Sequence, residues 1–215
     1  RPLHNFTRAV LFAAEKNAPP LIEELRREIE TAERVDFLVS FIRFSGWRLL
    51  KPALQSFAER GGRLRLATTT YIGATEARAV DEIASLPHAQ VCVSYQSQSS
   101  RLHAKAYLFH RPHGLSTAYV GSANMSRSAL EDGLEWMVKI TEAEQPALFE
   151  RMAAMLDGYL NGNPEFVRYE AGRDRQTLEE ALRKAAGKPG IAANDPASFV
   201  RIDPYPFQEE ILEKL

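Results

Sequence analysis

The sequence predicts an α/β fold, and three observations carry that expectation. The first half of the chain alternates helical windows with short, nearly continuous apolar runs, the pattern of buried strands joined by helices. The second half carries four strand-like runs with no long helix between them. At 215 residues and 45% hydrophobic, the chain can bury a core without a metal or disulfide staple.

Pro19-Pro20 opens a helix over Leu21 to roughly Thr31, with Leu21, Ile22, Leu25 and Ile29 on one apolar face. Val35 to Ile42 reads as a strand buried on both sides. Ser45-Gly46 opens a second helix, with Trp47, Leu50, Leu54 and Phe57 at helical spacing and Gly61-Gly62 as its stop. Leu64 to Thr70 is a strand and Thr75 to Leu86 a third helix, an order that points to parallel pairing. Val91 to Tyr95, Ala104 to Phe109, Thr117 to Gly121 and Leu134 to Ile140 are the four later strands. A helix around Pro146 to Leu160 follows, with Leu148, Met152, Met155, Leu156 and Tyr159 as its expected buried side. Trp47 and Trp136 read as core, and Cys92 as an inert small hydrophobe in a strand.

These elements form one expected domain over residues 3–162. Residues 163–200 read as a linker with a short polar helix over Gln176 to Ala186, because Gly187 to Pro196 has linker composition. Residues 201–215 read as an extended lead-in and the start of an amphipathic helix, the first element of a further domain. The absence of an initiating Met and the end at Leu215 suggest a piece of a longer chain.

Composition removes several function classes. The single cysteine excludes an intramolecular disulfide and a cysteine-based zinc finger. With 27 basic against 28 acidic residues there is no global positive field, so any nucleic-acid contact needs a local patch. No run approaches the ~18 apolar residues of a membrane span, and the N-terminus has no signal pattern. A soluble cytoplasmic protein without a membrane partner is the default expectation.

The chemistry concentrates between Leu102 and Trp136. His103 and Lys105 are two apart, so on a strand they project from one face. Ser122 and Asn124 are likewise two apart, at the end of the next strand. Adjacent strands would gather an imidazole, an ammonium, a hydroxyl and an amide. A phosphodiester needs such a set: a nucleophile or acid, a cation, and neutral donors for the non-bridging oxygens.

His103-x-Lys105 followed by Gly121-Ser122-x-Asn124 resembles the phospholipase D superfamily signature, H-x-K-x4-D with a later G-S-x-N. The position of the signature Asp is taken by His110. The resemblance implies a mixed β-sheet flanked by helices, followed here by a partly helical tail. It also implies roles: His103 as nucleophile, Lys105 and Asn124 on the non-bridging oxygens, Ser122 in support. Glu135, eleven residues past Asn124, stands where family nucleases often keep an acid that orients the histidine. Enzymes of this type use two H-x-K sites, and this chain has one. It is therefore similar to the dimeric nucleases in which two protomers share a site, without a metal.

Val39-Ser40-Phe41-Ile42 with Ser45-Gly46, Thr69 to Thr75, and Leu130 to Trp136 resemble the phospholipase D-like domain fused ahead of bacterial DEAD/DEAH-type helicases. Tyr205-Pro206-Phe207-Gln208 is similar to the Q motif of such helicases, which makes Gln208 an adenine contact once a helicase core is present. ATP and Mg would belong to that core. No G-x-x-x-x-G-K-[ST] loop is present, so these 215 residues cannot hydrolyse ATP and need no cofactor of their own.

Each residue also has a plainer reading. Ser122 and Asn124 are common turn formers, and Glu135 can be an ordinary solvent-facing charge. Thr70 and Tyr71 end a strand, where α/β folds place ligand contacts, but Thr and Tyr also simply favour strands. Arg63, Arg65, Arg101, Arg111 and Arg127 suggest a basic rim, with Arg101 and Arg127 nearest the motifs, or else serve solubility one by one. The leading expectation is a nuclease acting on DNA as a homodimer. The alternatives are a silent DNA-binding and dimerisation module, and hydrolysis of a lipid or other phosphodiester.

Overall fold

The computed structural model describes residues 6–13, 20–95 and 102–187. Arg101 and the whole of 188–215, including Gln208 and the linker composition after Gly187, lie outside them.

Apolar alternation builds an eight-stranded mixed sheet. In chain order the strands are β1 (Val10–Ala13), β2 (Arg34–Leu38), β3 (Arg63–Thr69), β4 (Ala89–Ser94), β5 (Ala106–His110), β6 (Thr117–Gly121), β7 (Trp136–Thr141) and β8 (Phe166–Tyr169). Across the sheet they run β1-β7-β6-β5-β2-β3-β4-β8. Only β2–β3 and β3–β4 are parallel, and the other neighbours are antiparallel. Helices α1 (Leu21–Thr31) and α2 (Phe44–Glu59) supply the crossover segments around β2 and β3, and α3 (Ala77–Ala84) that between β3 and β4. β5 and β6 are joined by a short loop, and β6 and β7 by a segment holding only the five-residue helix Arg127–Glu131, connections that suit antiparallel neighbours.

One face of the sheet is covered by α1, α2, α3, α4 (Arg127–Glu131) and α6 (Arg175–Ala186). Leu25, Ile29, Trp47, Leu50, Leu54 and Phe57 pack there against Phe37, Leu66, Tyr107 and Tyr119. The other face carries a smaller core under α5 (Pro146–Asp157), where Phe149 and Leu156 sit over Leu38, Ala67, Ala106, Leu108 and Ile140.

The covered face also buries charge. Glu24 and Glu28, on the inward side of α1, meet Lys139 Nζ at 3.0 and 2.8 Å, and all three side chains are sealed from solvent. Tyr119 donates its hydroxyl to both carboxylates, and Arg111 pairs with Glu28. A network of this kind costs desolvation but fixes α1 on β6 and β7, because a shifted register would strand a charge.

Four expectations need correction. The strand expected over Val35 to Ile42 stops at Leu38, and residues beyond it turn toward the 122–126 loop, with Arg43 N–H donating to the Met125 carbonyl at 2.8 Å. Residues 163–186 are no linker: β8 pairs with β4, and Leu178 and Leu182 of α6 join the main core. The folded unit thus extends past residue 162. On α5, Leu148 and Met155 face outward while Phe149 is buried. Trp136 is exposed, unlike Trp47. In each of the last two cases the periodicity was real, but which side met the sheet depended on strand order.

Among the described residues, Arg63, Arg65, Arg111 and Arg127 do not form a rim. Arg65 clamps the buried Asp36 through two 2.7 Å hydrogen bonds and reaches Asp157 of α5. Arg111 is buried against Glu28. Arg63 begins β3, and Arg127 pairs with Glu131 one helical turn on.

Candidate active site

Because β5 is antiparallel to β2, its start lies beside the C-terminal ends of the parallel strands. Leu38 of β2 is paired with Ala106 of β5, and Ala106 with Val120 of β6. His103, Lys105, the Gly121–Asn124 turn and Glu135 therefore all meet at one edge of the sheet, the edge where α/β folds gather ligands.

The Lys105 side chain is almost fully buried, and its Nζ donates to the His103 carbonyl at 2.6 Å. The Lys105 carbonyl accepts the Gly121 N–H at 3.2 Å, which locks the H-x-K segment to the G-S-x-N segment. Gly121 has to be glycine: a Cβ there would lie 1.9 Å from the Trp136 carbonyl oxygen. Gly46, opening α2, is equally constrained, since a Cβ would meet the Met125 backbone at 2.5 Å. These two contacts press the turn between β7 and α2.

Asn124 is buried, and its Oδ1 accepts the Phe41 N–H at 3.2 Å. That bond decides which way the carboxamide faces. With the oxygen held by the loop after β2, the NH2 group is left as the donor available to a substrate oxygen. Ser122 behaves differently. Its Oγ accepts the Trp136 N–H at 3.0 Å and its own N–H donates to the Trp136 carbonyl at 3.0 Å, so it couples the turn to β7. The fully buried Tyr107 supports the turn from beneath, donating to the Ala123 carbonyl at 3.1 Å.

Electrostatics favours a neutral imidazole beside a cation. Burial and then the Lys105 charge push the His103 pKa below its ordinary value. Burial also lowers that of Lys105, with the Glu135 carboxylate acting in the opposite sense. Glu135 is half-buried while its neighbours Leu134 and Trp136 are exposed, so strand alternation turns Glu135 to the Lys105 side.

Thr70 and Tyr71 stand at the same edge, but β3 is two strands from β5, roughly 10 Å across the sheet. The Thr70 hydroxyl is turned to the Ser94 carbonyl at 3.4 Å, and Tyr71 N–H donates to Thr69 Oγ1 at 3.1 Å. Arg127 is exposed on α4, directly after the Asn124 turn. His110 lies at the far end of β5, where its Nε2 is 2.7 Å from Asp36 Oδ2. The carboxylate missing from the motif position is thus present in space, supplied by β2. Sequence reasoning missed Phe41, Tyr107 and Asp36. Tyr107 had a signal, two residues past Lys105 on the same strand face, whereas Phe41 acts through its backbone and had none.

Among the described residues no three His, Cys, Asp or Glu side chains are grouped to hold a metal ion, and no helix is long and apolar enough to cross a membrane. No curated protein matches the sequence at a significant level. The fold is similar to NucT from Helicobacter pylori, with a TM-score of 0.60 at 16% identity over 75% of this chain and 99% of that one. It is also similar to Nuc from Salmonella typhimurium, a phospholipase D family member, with a TM-score of 0.58 at 17% identity over 76% and 99% of the two chains. Phosphatidylserine synthase from Haemophilus influenzae Rd KW20 shares the fold more loosely, with a TM-score of 0.55 at 16% identity over 85% of this chain and 44% of its own. At these identities the likenesses establish fold alone. The family model for the cardiolipin synthase, phospholipase D-like domain matches residues 25–156, more than half of the sequence and the whole of the site just described, and the chain belongs to that phospholipase D-like family.

Proposed function

We propose that this domain hydrolyses nucleic-acid phosphodiesters, DNA in the first place, in a site completed by a second copy of the chain. The observation that carries the reading is the joint placement of His103, Lys105 and an Asn124 amide whose oxygen is already engaged. One neutral imidazole, one ammonium and one outward NH2 donor match a phosphoryl group under attack.

In the proposed reaction His103 attacks phosphorus while the bond to the leaving oxygen breaks. The second copy's His103, protonated, gives its proton to that oxygen. It then takes a proton from water as the water attacks phosphorus and the P–N bond breaks, which frees His103 and a phosphomonoester. Lys105 and Asn124 hold the non-bridging oxygens, Glu135 sustains the Lys105 charge, and Ser122 keeps the turn in place. Tyr71 and Arg127 flank the approach, while the buried Thr70 acts only as support beneath it. The two histidines differ in protonation because a close pair titrates as a coupled unit. No step in this sequence calls for a metal ion.

A nuclease assay with and without EDTA, run beside a salt-titrated DNA-binding assay, tests the reading. His103→Ala should abolish cleavage and leave binding largely intact, whereas Lys105→Ala should weaken both. Cleavage should persist in EDTA. Cleavage by His103→Ala at the wild-type rate would remove the catalytic assignment and leave a DNA-binding module, while activity lost in EDTA and restored by Mg would reject the phosphohistidine route.

A further inference from the structure

We infer that the Phe41 side chain is a stacking surface for a nucleobase next to the scissile phosphate, so that the site reads a base as well as a phosphodiester. The inference deepens the DNA-hydrolysis reading and rests on it for the identity of the ligand as DNA.

Phe41 and His103 extend over the same edge from the same rung of the sheet. Leu38 of β2 pairs with Ala106 of β5, and Phe41 follows Leu38 by three residues as His103 precedes Ala106 by three. The Gly121–Asn124 turn ties both segments down. Its Asn124 Oδ1 accepts the Phe41 N–H at 3.2 Å, and its Gly121 N–H donates to the Lys105 carbonyl at 3.2 Å. The Phe41 backbone is therefore fixed against the amide that faces the substrate. A phosphate oxygen on the Asn124 NH2 group would lie no more than roughly 8 Å from the Phe41 nitrogen, two hydrogen bonds and the width of a carboxamide away. The ring, carried on the same backbone, is within a nucleoside's reach of that phosphate.

The packing of the molecule makes no other use of this ring. Phe41 is half-buried and belongs to neither apolar core. Every other described phenylalanine has an aromatic ring or a cation against it: Phe37 meets Tyr107 and Phe109, Phe44 lies under Arg78 and Phe57 under Arg60, for example. Among the described residues Phe41 has no such neighbour. Beside it, Ser40 is 3% exposed and its hydroxyl has no hydrogen-bond partner, so the polar contacts of this corner are incomplete too.

A half-exposed aromatic face next to a phosphate-holding amide is what a stacking site requires. Phosphate contacts alone do not tell a nucleotide from another phosphodiester, whereas an aromatic shelf one nucleoside away does. Every base has a π face, so the contact adds affinity without selecting a sequence.

The test uses DNA strands with one natural phosphodiester between methylphosphonate linkages, carrying a base or an abasic residue on either side of it. Wild type should lose about 10-fold or more in kcat/KM when the base on one particular side is removed. Phe41→Ala should lose a similar factor on the intact strand and stop responding to base removal, while Phe41→Trp should keep the response. The main-chain N–H that anchors Asn124 survives each substitution, and an unchanged circular dichroism spectrum checks the fold. In Phe41→Trp, the intact strand should quench the introduced indole beyond any change in wild type, and an all-abasic strand should not. Equal rates on base-bearing and abasic strands in wild type, or a Phe41→Ala loss that is the same on both, would overturn the inference and leave DNA hydrolysis standing. So would an introduced indole that acrylamide cannot reach in the free protein, because the chain itself would then cover the shelf. If wild type cleaves no strand, the hydrolysis reading fails and quenching alone decides the stacking site: base-dependent quenching upholds it, and its absence overturns it.

Discussion

Substitution of Asn124 by Asp and by Ala separates the two ends of one side chain. The Asn124 oxygen accepts the Phe41 N–H at 3.2 Å, which leaves the NH2 group as the end available to a phosphate oxygen. Asn124→Asp keeps an acceptor for Phe41 but replaces the outward donor by a negative oxygen. Cleavage should fall by 10²–10³ from loss of one transition-state donor alone, about 3 kcal/mol, and further through repulsion of the phosphate. Asn124→Ala loses the donor as well, and it also leaves the half-buried Phe41 N–H without its partner, at a cost of about 1 kcal/mol. Single-turnover cleavage and urea unfolding on the same preparations check both. The expected pattern is two inactive variants of which Ala is the less stable. If Asn124→Asp cleaves at the wild-type rate, the amide is only a turn former and the assignment is refuted.

Two further outcomes follow from charge placement. The acid limb of kcat/KM should have its midpoint below 6.5, because burial and Lys105 favour the neutral His103 imidazole, and a midpoint above 6.5 in a pH–rate profile would contradict that environment. Burial of Asp36 is outweighed by its hydrogen bonds from Arg65 and His110, which bring its pKa down to about 2. Since the folded value lies below the unfolded one, the carboxylate stabilises the fold above about pH 4 and loses that contribution, ~2 kcal/mol, as pH falls toward 2. Urea midpoints should drop through this window in wild type, and Asp36→Asn should show a lower stability with a flatter profile.

The architecture clarifies why a histidine at the motif's Asp position is compatible with the site. His110 ends β5 and Lys105 stands just before its start, roughly 17 Å apart along an extended chain. Around His110 the roles have been redistributed: Asp36 of β2 supplies the carboxylate, and Arg34, Arg65 and His110 surround it. Both the motif and its exception are thus explained by pairs on adjacent strands.

Much of this protein is legible in its sequence because the relevant signals are local. Helical spacing of Leu21, Ile22, Leu25 and Ile29 locates α1, and the i, i+2 spacing of His103 with Lys105 and of Ser122 with Asn124 singles out the candidate site. Period and spacing are properties of a few consecutive residues. Strand order is not. Only the tertiary structure decides that β5 returns antiparallel beside β2, so that Phe41 can hold Asn124 and Leu38 lies by Ala106. It also decides that β8 and α6 complete the sheet and core, and that Trp136 faces outward while Lys139 is sealed with Glu24 and Glu28. Those outcomes depend on partners tens of residues away, and a side chain's burial is set by the neighbour that closes over it, which the residue's own type does not specify.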